Sequence, residues 1–506
     1  MNRTLAILLL TVFAHTVFAH KVQAQTPAQQ AALAEKAALA KSYLASERFA
    51  EAAKIYGELA QALPGNAGLL LNHGMALHLA GEDRAAIAPL QATLKLNPGA
   101  LPAQLFLGAS LLRTGQAAAA ITPLEKYAAA DPRHREVRQM LVDACSLAGL
   151  SARALPHLER LAQLDPERTA VWYELGRAYE ALAAETFEKL GKAFPESGPW
   201  FALVADSRSK TSQNRAAFLF YRKAIAKAPA LRGLHAALAE IYTRTDHADW
   251  AATERAAEAK LGKPVCAAVK TAECEFTSGR FASVLALARP TADGHYWRIR
   301  AYDMLARQSF ARLLELPESP ERYRFQAETQ RDQGKHAPAI AAWKDALRLA
   351  PGHPDFQREL AASLLAAREY LEAQLVTSQL LIAEPQAADL QHLQGDLFLA
   401  QQQAEAAIPY LEKAVALDPR LLPARASLAR ALAQAGRPAD ALPHATAALP
   451  LDSDGSLHFQ LARAYQAAGQ HDAAQKAMAQ YQQIQAKLRA SEQAVEKEAQ
   501  ITAPPP

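Results

Sequence analysis

The sequence predicts an all-α solenoid, a chain made by stacking one helix–turn–helix unit many times. Prolines at 64, 98, 132 and 166 fall 34 residues apart, and a second set at 351, 385 and 419 keeps that step. Alanine returns at one offset in eleven units: Ala52, Ala86, Ala120, Ala154, Ala217, Ala251, Ala339, Ala373, Ala407, Ala441 and Ala474. A period of this length belongs to a two-helix unit, and such a chain has no single globular core. Function is therefore to be read from surfaces.

Each element of the unit has a physical reason. With each proline taken as position 32, the recurrent alanine is position 20, and position 8 is Gly or Ala (Gly74, Gly108, Gly176, Ala239, Ala361, Gly395, Ala429). Small residues are needed where two antiparallel helices approach closely, because overpacking such a contact costs about 1–3 kcal/mol. Position 15 is glycine in six units (Gly81, Gly115, Gly149, Gly334, Gly436, Gly469), where the first helix must stop in a left-handed residue. Prolines such as Pro98 and Pro132 end the second helix. Leucines and aromatics at positions 7, 11 and 24 supply the apolar stripe: Leu107, Leu111 and Leu124; Leu175 and Tyr179; Leu360 and Leu364.

This pattern resembles the tetratricopeptide repeat (TPR). Trp172-x-x-Leu175-Gly176-x-x-Tyr179 matches the first-helix motif of that family residue for residue, and the resemblance extends over residues 33–485. It implies a right-handed superhelix of about 13–14 antiparallel helix pairs, some irregular. It further implies a concave groove lined by first helices that holds an extended peptide or a partner's helix. By the family pattern, positions 2, 5, 9 and 12 face inward. The residues so placed include Leu71, Met75, His78, Leu105, Tyr173, Arg177 and Glu180 in the first half. In the second half they include Arg324, Glu328, Arg331, Arg358, His392, Asp396, Arg430 and Arg463. The early groove reads as apolar and the later one as arginine-rich, which suits an acidic ligand or a terminal carboxylate.

The period breaks twice. Pro166 to Pro229 spans 63 residues, 34 plus 29, and the 29-residue unit lacks the turn glycine. Its apolar residues run on through Tyr179, Leu182, Phe187, Leu190 and Phe194, so its two helices are either fused or joined by a very tight turn. The same irregularity recurs 123 residues later. Arg177-Ala178-Tyr179-Glu180 is answered by Arg300-Ala301-Tyr302-Asp303, and Pro195-Glu196-Ser197 by Pro317-Glu318-Ser319. A block of residues 169–263 is thus duplicated as 292–385. Copying of an ancestral defect explains this; the functional alternative is that each defect bends the array and presents Arg177/Tyr179 and Arg300/Tyr302.

The remaining signals bound location and chemistry. Residues 1–24 read as a signal peptide, with Asn2-Arg3, an apolar run Thr4–Ala19 and a small-residue site Val22-Gln23-Ala24. An uncleaved anchor is the alternative, and no span is expected after cleavage. The expected organisation is an N-terminal array over 25–263, irregular units over 264–319 and a C-terminal array over 320–478. A capping helix over 479–499 and a disordered tail over 500–506 complete it. Net charge is +4 over 506 residues, too weak to argue for nucleic acid. Cys145 takes an apolar core position. If Cys266 and Cys274 were both helical, eight residues would separate them by about 12 Å, too far to bridge. If Cys266 lies in the preceding loop and folds back, a disulfide forms in an oxidising compartment; two free thiols are the alternative.

The sequence holds no H-E-x-x-H, no G-x-S-x-G and no G-x-x-x-x-G-K-[ST]. No cofactor, metal site or catalytic residue is expected. The expectation is a non-catalytic exported scaffold that holds other proteins of the periplasm or cell envelope. The alternative is a polysaccharide- or secretion-linked component, or an enzyme with a hidden groove site.

Overall fold

The computed structural model describes residues 26–266 and 270–504. The expected signal peptide lies outside the described residues. Twelve antiparallel helix pairs and two long single helices account for the architecture, and no strand occurs among the described residues. The chain forms two compact units, residues 1–182 and 183–506.

In the first unit the pairs are Pro27–Ala45 with Phe49–Ala62, Ala67–Leu79 with Asp83–Leu96, Leu101–Arg113 with Ala117–Ala130, and Arg135–Leu147 with Ser151–Leu164. The long helix Thr169–Ala193 follows and carries the chain from one unit into the next. The second unit holds the pairs Gly198–Lys210 with Asn214–Lys227 and Leu234–Arg244 with Ala248–Lys260, the short helices Ala272–Thr277 and Phe281–Leu287, and the second long helix Ala292–Glu315. Four regular pairs fill 320–448, and Ser456–Ala467 pairs with His471–Glu498. Both irregular units are therefore fused helices. The repeated Pro-Glu-Ser acts alike in both copies. Ser197 and Ser319 each accept a hydrogen bond from the backbone N–H three residues on and cap the helix that follows.

The repeat chemistry is expressed as the offsets demand. All eleven position-20 alanines are buried, as are Leu107, Leu111, Leu124, Leu175, Tyr179, Leu360 and Leu364. A Cβ on Gly108 would stand 2.5 Å from Leu124 Cγ, and the same distance separates Gly74 from Leu90 Cγ and Gly395 from Leu411 Cγ. Position 8 is small because position 24 of the same pair occupies its space. The six turn glycines all have positive φ, between 69° and 85°. Glu47, Ser212, Asp246, Arg368 and Gln402 hold the same left-handed place without a glycine. Each carries the steric cost of a side chain there, about 1–2 kcal/mol.

Side chains at position 4 have a role the periodicity did not reveal. Gln104, Arg138, Trp172, Gln391 and Arg425 each donate to the carbonyl of the proline six residues earlier, at 2.8–3.3 Å, and Arg322 donates likewise to Leu316. Those carbonyls follow a helix end and have no helical partner, so a long donor in the next helix satisfies them. The Trp of the first-helix motif thus fastens consecutive hairpins.

One expectation is corrected. Tail residues 500–504 are not loose: Ala499 is fully buried, Ile501 packs on the core of the second unit, and the Thr502 carbonyl accepts from Tyr242 at 2.6 Å. The cap expected over 479–499 belongs to one continuous helix, His471–Glu498, which also packs on Asn214–Lys227. The physical reason is a core in the second unit that the regular pairs leave incomplete. Cys266 lies before the helix Ala272–Thr277 and is joined to Cys274 with Cα atoms 5.5 Å apart, while Cys145 is a buried free cysteine. No helix among the described residues is long and apolar enough to cross a membrane.

Candidate functional site

Within each unit, consecutive first helices approach one another more closely than consecutive second helices do. First helices therefore lie on the inside of the curve, and their free faces make the groove. Side chains bridge these helices from one pair to the next, and the bridges define what the groove presents.

In the first unit, Leu71 and Met75 are half-buried and remain at the groove, whereas Leu105 is 1% exposed and Tyr173 is also buried. His78 is fully buried, which corrects its placement as a groove residue. Its Nδ1 stands 2.7 Å from Asp83 Oδ1 and 2.9 Å from Ser110 Oγ of the next pair, and Asp83 also pairs with Arg113 at 2.8 Å. Burial holds His78 below the usual histidine range, against the pull of Asp83. The Ser, His and Asp are not a nucleophile relay. Both partners meet the same ring nitrogen, whereas a relay needs one on each. Further along, Gln139 donates to Asp143 and to Glu174 of the next first helix, and Arg177 pairs with Glu180 at 2.6 Å on the exposed face.

In the second unit, the groove arginines are not free forks. Arg324 pairs with Glu328 at 3.0 Å, and Arg331 with Glu359 of the next first helix. Arg358 meets Glu384, Asp389 and Asp355. His392 Nε2 lies 3.1 Å from Asp396 and 3.3 Å from Ser427 Oγ, and Arg430 reaches Asp396 at 3.4 Å. Burial alone would raise Asp396, yet the bonds from His392 and Ser427 and the nearby Arg430 hold its carboxyl below the usual range. Arg430 and Arg463 stay exposed. The reading of an arginine-rich surface open to an acidic ligand is therefore corrected. The acids that neutralise it sit on the same helix (Glu328, Asp355) or in the adjoining repeat (Glu359, Glu384, Asp389, Asp396), so the groove displays both signs.

The duplicated pair Arg300/Tyr302 is not displayed at a bend. Arg300 donates to Tyr296 Oη at 2.6 Å and lies over the rings of Phe276 and Tyr296, inside the second unit. On the outer side, Leu371, Leu375 and Ile382 of the helix Tyr370–Ala383 are 84%, 60% and 83% exposed. Ile382 borders a cleft of about 480 Å³ lined also by Leu381, Tyr410 and Lys413 among others. The signal was present in the sequence, since the apolar residues of that helix are spread around its circumference and not gathered on one stripe. Among the described residues no group of His, Cys, Asp and Glu converges as a metal site.

No curated protein matches the chain. Among solved structures, MamA from Desulfovibrio magneticus RS-1 is 19% identical, covering 34% of this chain and 97% of its own, with a TM-score of 0.31. A thermophilic TPR protein of Thermus thermophilus is 18% identical over 36% of this chain and 98% of its own, with a TM-score of 0.30. Tetratricopeptide repeat models match residues 37–100, 83–134 and 360–421, and a further one matches 398–456. Those segments coincide with pairs in which the small position-8 residue, the buried position-20 alanine and the left-handed turn are all in place. Tetratricopeptide repeats therefore make up residues 37–134 and 360–456 of the chain.

Proposed function

We propose that the protein is a non-catalytic, exported scaffold that holds a protein of the periplasm or cell envelope along the first-helix groove of residues 320–463. The observation that carries this is the lattice of groove side chains shared between successive repeats: Arg331 with Glu359, and His392 and Asp396 with Ser427 and Arg430. Bridged side chains are held in place before any partner arrives, so less conformational entropy is lost on binding. Alternating signs select an extended peptide or helix that carries both acids and bases, because a purely acidic ligand would have to displace the carboxylates already paired. Export is supported by the composition of residues 1–24 and by the Cys266–Cys274 disulfide, a bond typical of oxidising compartments.

The test is the double variant Arg430→Glu with Arg463→Glu in the full chain, both sites being exposed. The intact chain should capture a stoichiometric protein from envelope extracts. The variant should bind that protein at least about tenfold more weakly, with an unchanged urea midpoint. Equal capture by both chains would refute the groove, and recovery of glycan without protein would refute the scaffold.

A further inference from the structure

The end of the chain returns to the beginning of its own unit. The helix His471–Glu498 packs on Asn214–Lys227, and Ala499 beyond it is fully buried. Ile501 is half-buried against a cluster that includes Phe218, Leu238 and Tyr242. The Tyr242 hydroxyl donates to the Thr502 carbonyl across 260 positions of sequence. Tyr242 itself is fully buried and is fixed edge-on by Phe218 at 5.7 Å and Trp250 at 5.6 Å. Arg222 stands beside its hydroxyl.

We propose that the Tyr242 pocket is a binding site for a short segment without charged side chains, filled here by residues 499–504 as an intramolecular latch that joins the two ends of the second unit. A buried phenol requires an acceptor, and the backbone carbonyl of an extended segment supplies one whatever its side chain. A β-branched residue just before that carbonyl gives the apolar anchor, and Ile501 provides it. The segment Ala-Gln-Ile-Thr-Ala-Pro-Pro-Pro carries no charged side chain, so docking strands no ion beside the aromatic cluster. Pro504 has a fixed φ and no N–H donor, which lowers the entropy lost on docking at that position. The site uses none of the groove residues, so it stands or falls apart from the scaffold reading.

A fluorescent synthetic peptide of residues 499–506 tests it against the full chain and against a chain ending at Glu498. The shortened chain should bind the peptide saturably and the full chain at least about tenfold more weakly, because the tethered tail competes at high effective concentration. Tyr242→Phe in the shortened chain should weaken the peptide about three- to tenfold. Failure of a helical, folded shortened chain to bind, or equal binding by both chains, would overturn the proposal. A second readout needs no truncation. In the intact protein, Ala499→Cys should react with maleimide at least about tenfold more slowly than an exposed cysteine and faster once Tyr242→Phe is added. Labelling at the rate of an exposed thiol would overturn the latch. Protection that disappears on dilution would place the tail on a second copy and overturn it too.

Discussion

Gly108→Ala tests the packing logic of the whole array, because a single methyl meets a single leucine. The new Cβ would lie 2.5 Å from Leu124 Cγ and 2.6 Å from Leu124 Cδ2, with the Ala120 carbonyl at 3.4 Å. The two side-chain distances are about 1 Å short of ordinary contact. Leu124 is fully buried, so either it leaves its rotamer or the two helices part. The expected cost is about 1–3 kcal/mol. Leu124→Ala alone should cost about 2–5 kcal/mol by opening a cavity. Together the two changes should cost less than their sum by about 1–3 kcal/mol, because the added methyl enters the vacated space. Urea midpoints followed by far-ultraviolet circular dichroism give all four corners of the cycle. Gly115→Ala is the control: its φ is 78° and nothing lies within reach of a Cβ there. It should cost about 1 kcal/mol and add simply to Leu124→Ala. Strict additivity of Gly108→Ala with Leu124→Ala, or no cost for Gly108→Ala alone, would refute the reasoning.

Two further outcomes follow from local chemistry. Arg368 holds a left-handed turn at φ 63° where six other units place glycine, so Arg368→Gly should stabilise the chain by about 0.5–1 kcal/mol; a lower urea midpoint would contradict this. His73, His78, His157, His295 and His444 all lie below the usual 6.5, with burial the main cause. The folded chain then takes up protons less readily than the unfolded one. Its stability is full above about pH 6.5 and is lost as pH falls below that toward the depressed folded values. Thermal midpoints should drop between pH 7.5 and 5, and His78→Asn should flatten part of that slope. A midpoint that rises on acidification would refute the assignment.

Particular residues show where sequence reading reached and where it stopped. Gly81, Ala86 and Leu107 were legible because each answers a steric demand that recurs with every unit. The position-4 donors were equally periodic in effect but not in residue type. Gln104, Arg138 and Trp172 share only an N–H, so a search for repeated letters passes over them. His78 was misplaced because its burial depends on Ser110 in the next repeat and Asp83 in its own second helix. The arginines of the second half were visible, but their neutralisation was not. Glu359 and Glu384 lie 28 and 26 positions beyond the guanidinium groups they meet.

The amino-acid order alone determined the repeating hairpin, its turn, its small-residue seam and the places where the period breaks, since those depend on sterics within one unit and its immediate neighbour. Only the tertiary structure decided which groove charges are already paired and that the tail from Ala499 docks under Tyr242. A neighbour contact repeats along the chain and leaves a periodic trace. A closure contact occurs once, between segments with no shared spacing, and is set by which core surface the stacked pairs leave uncovered.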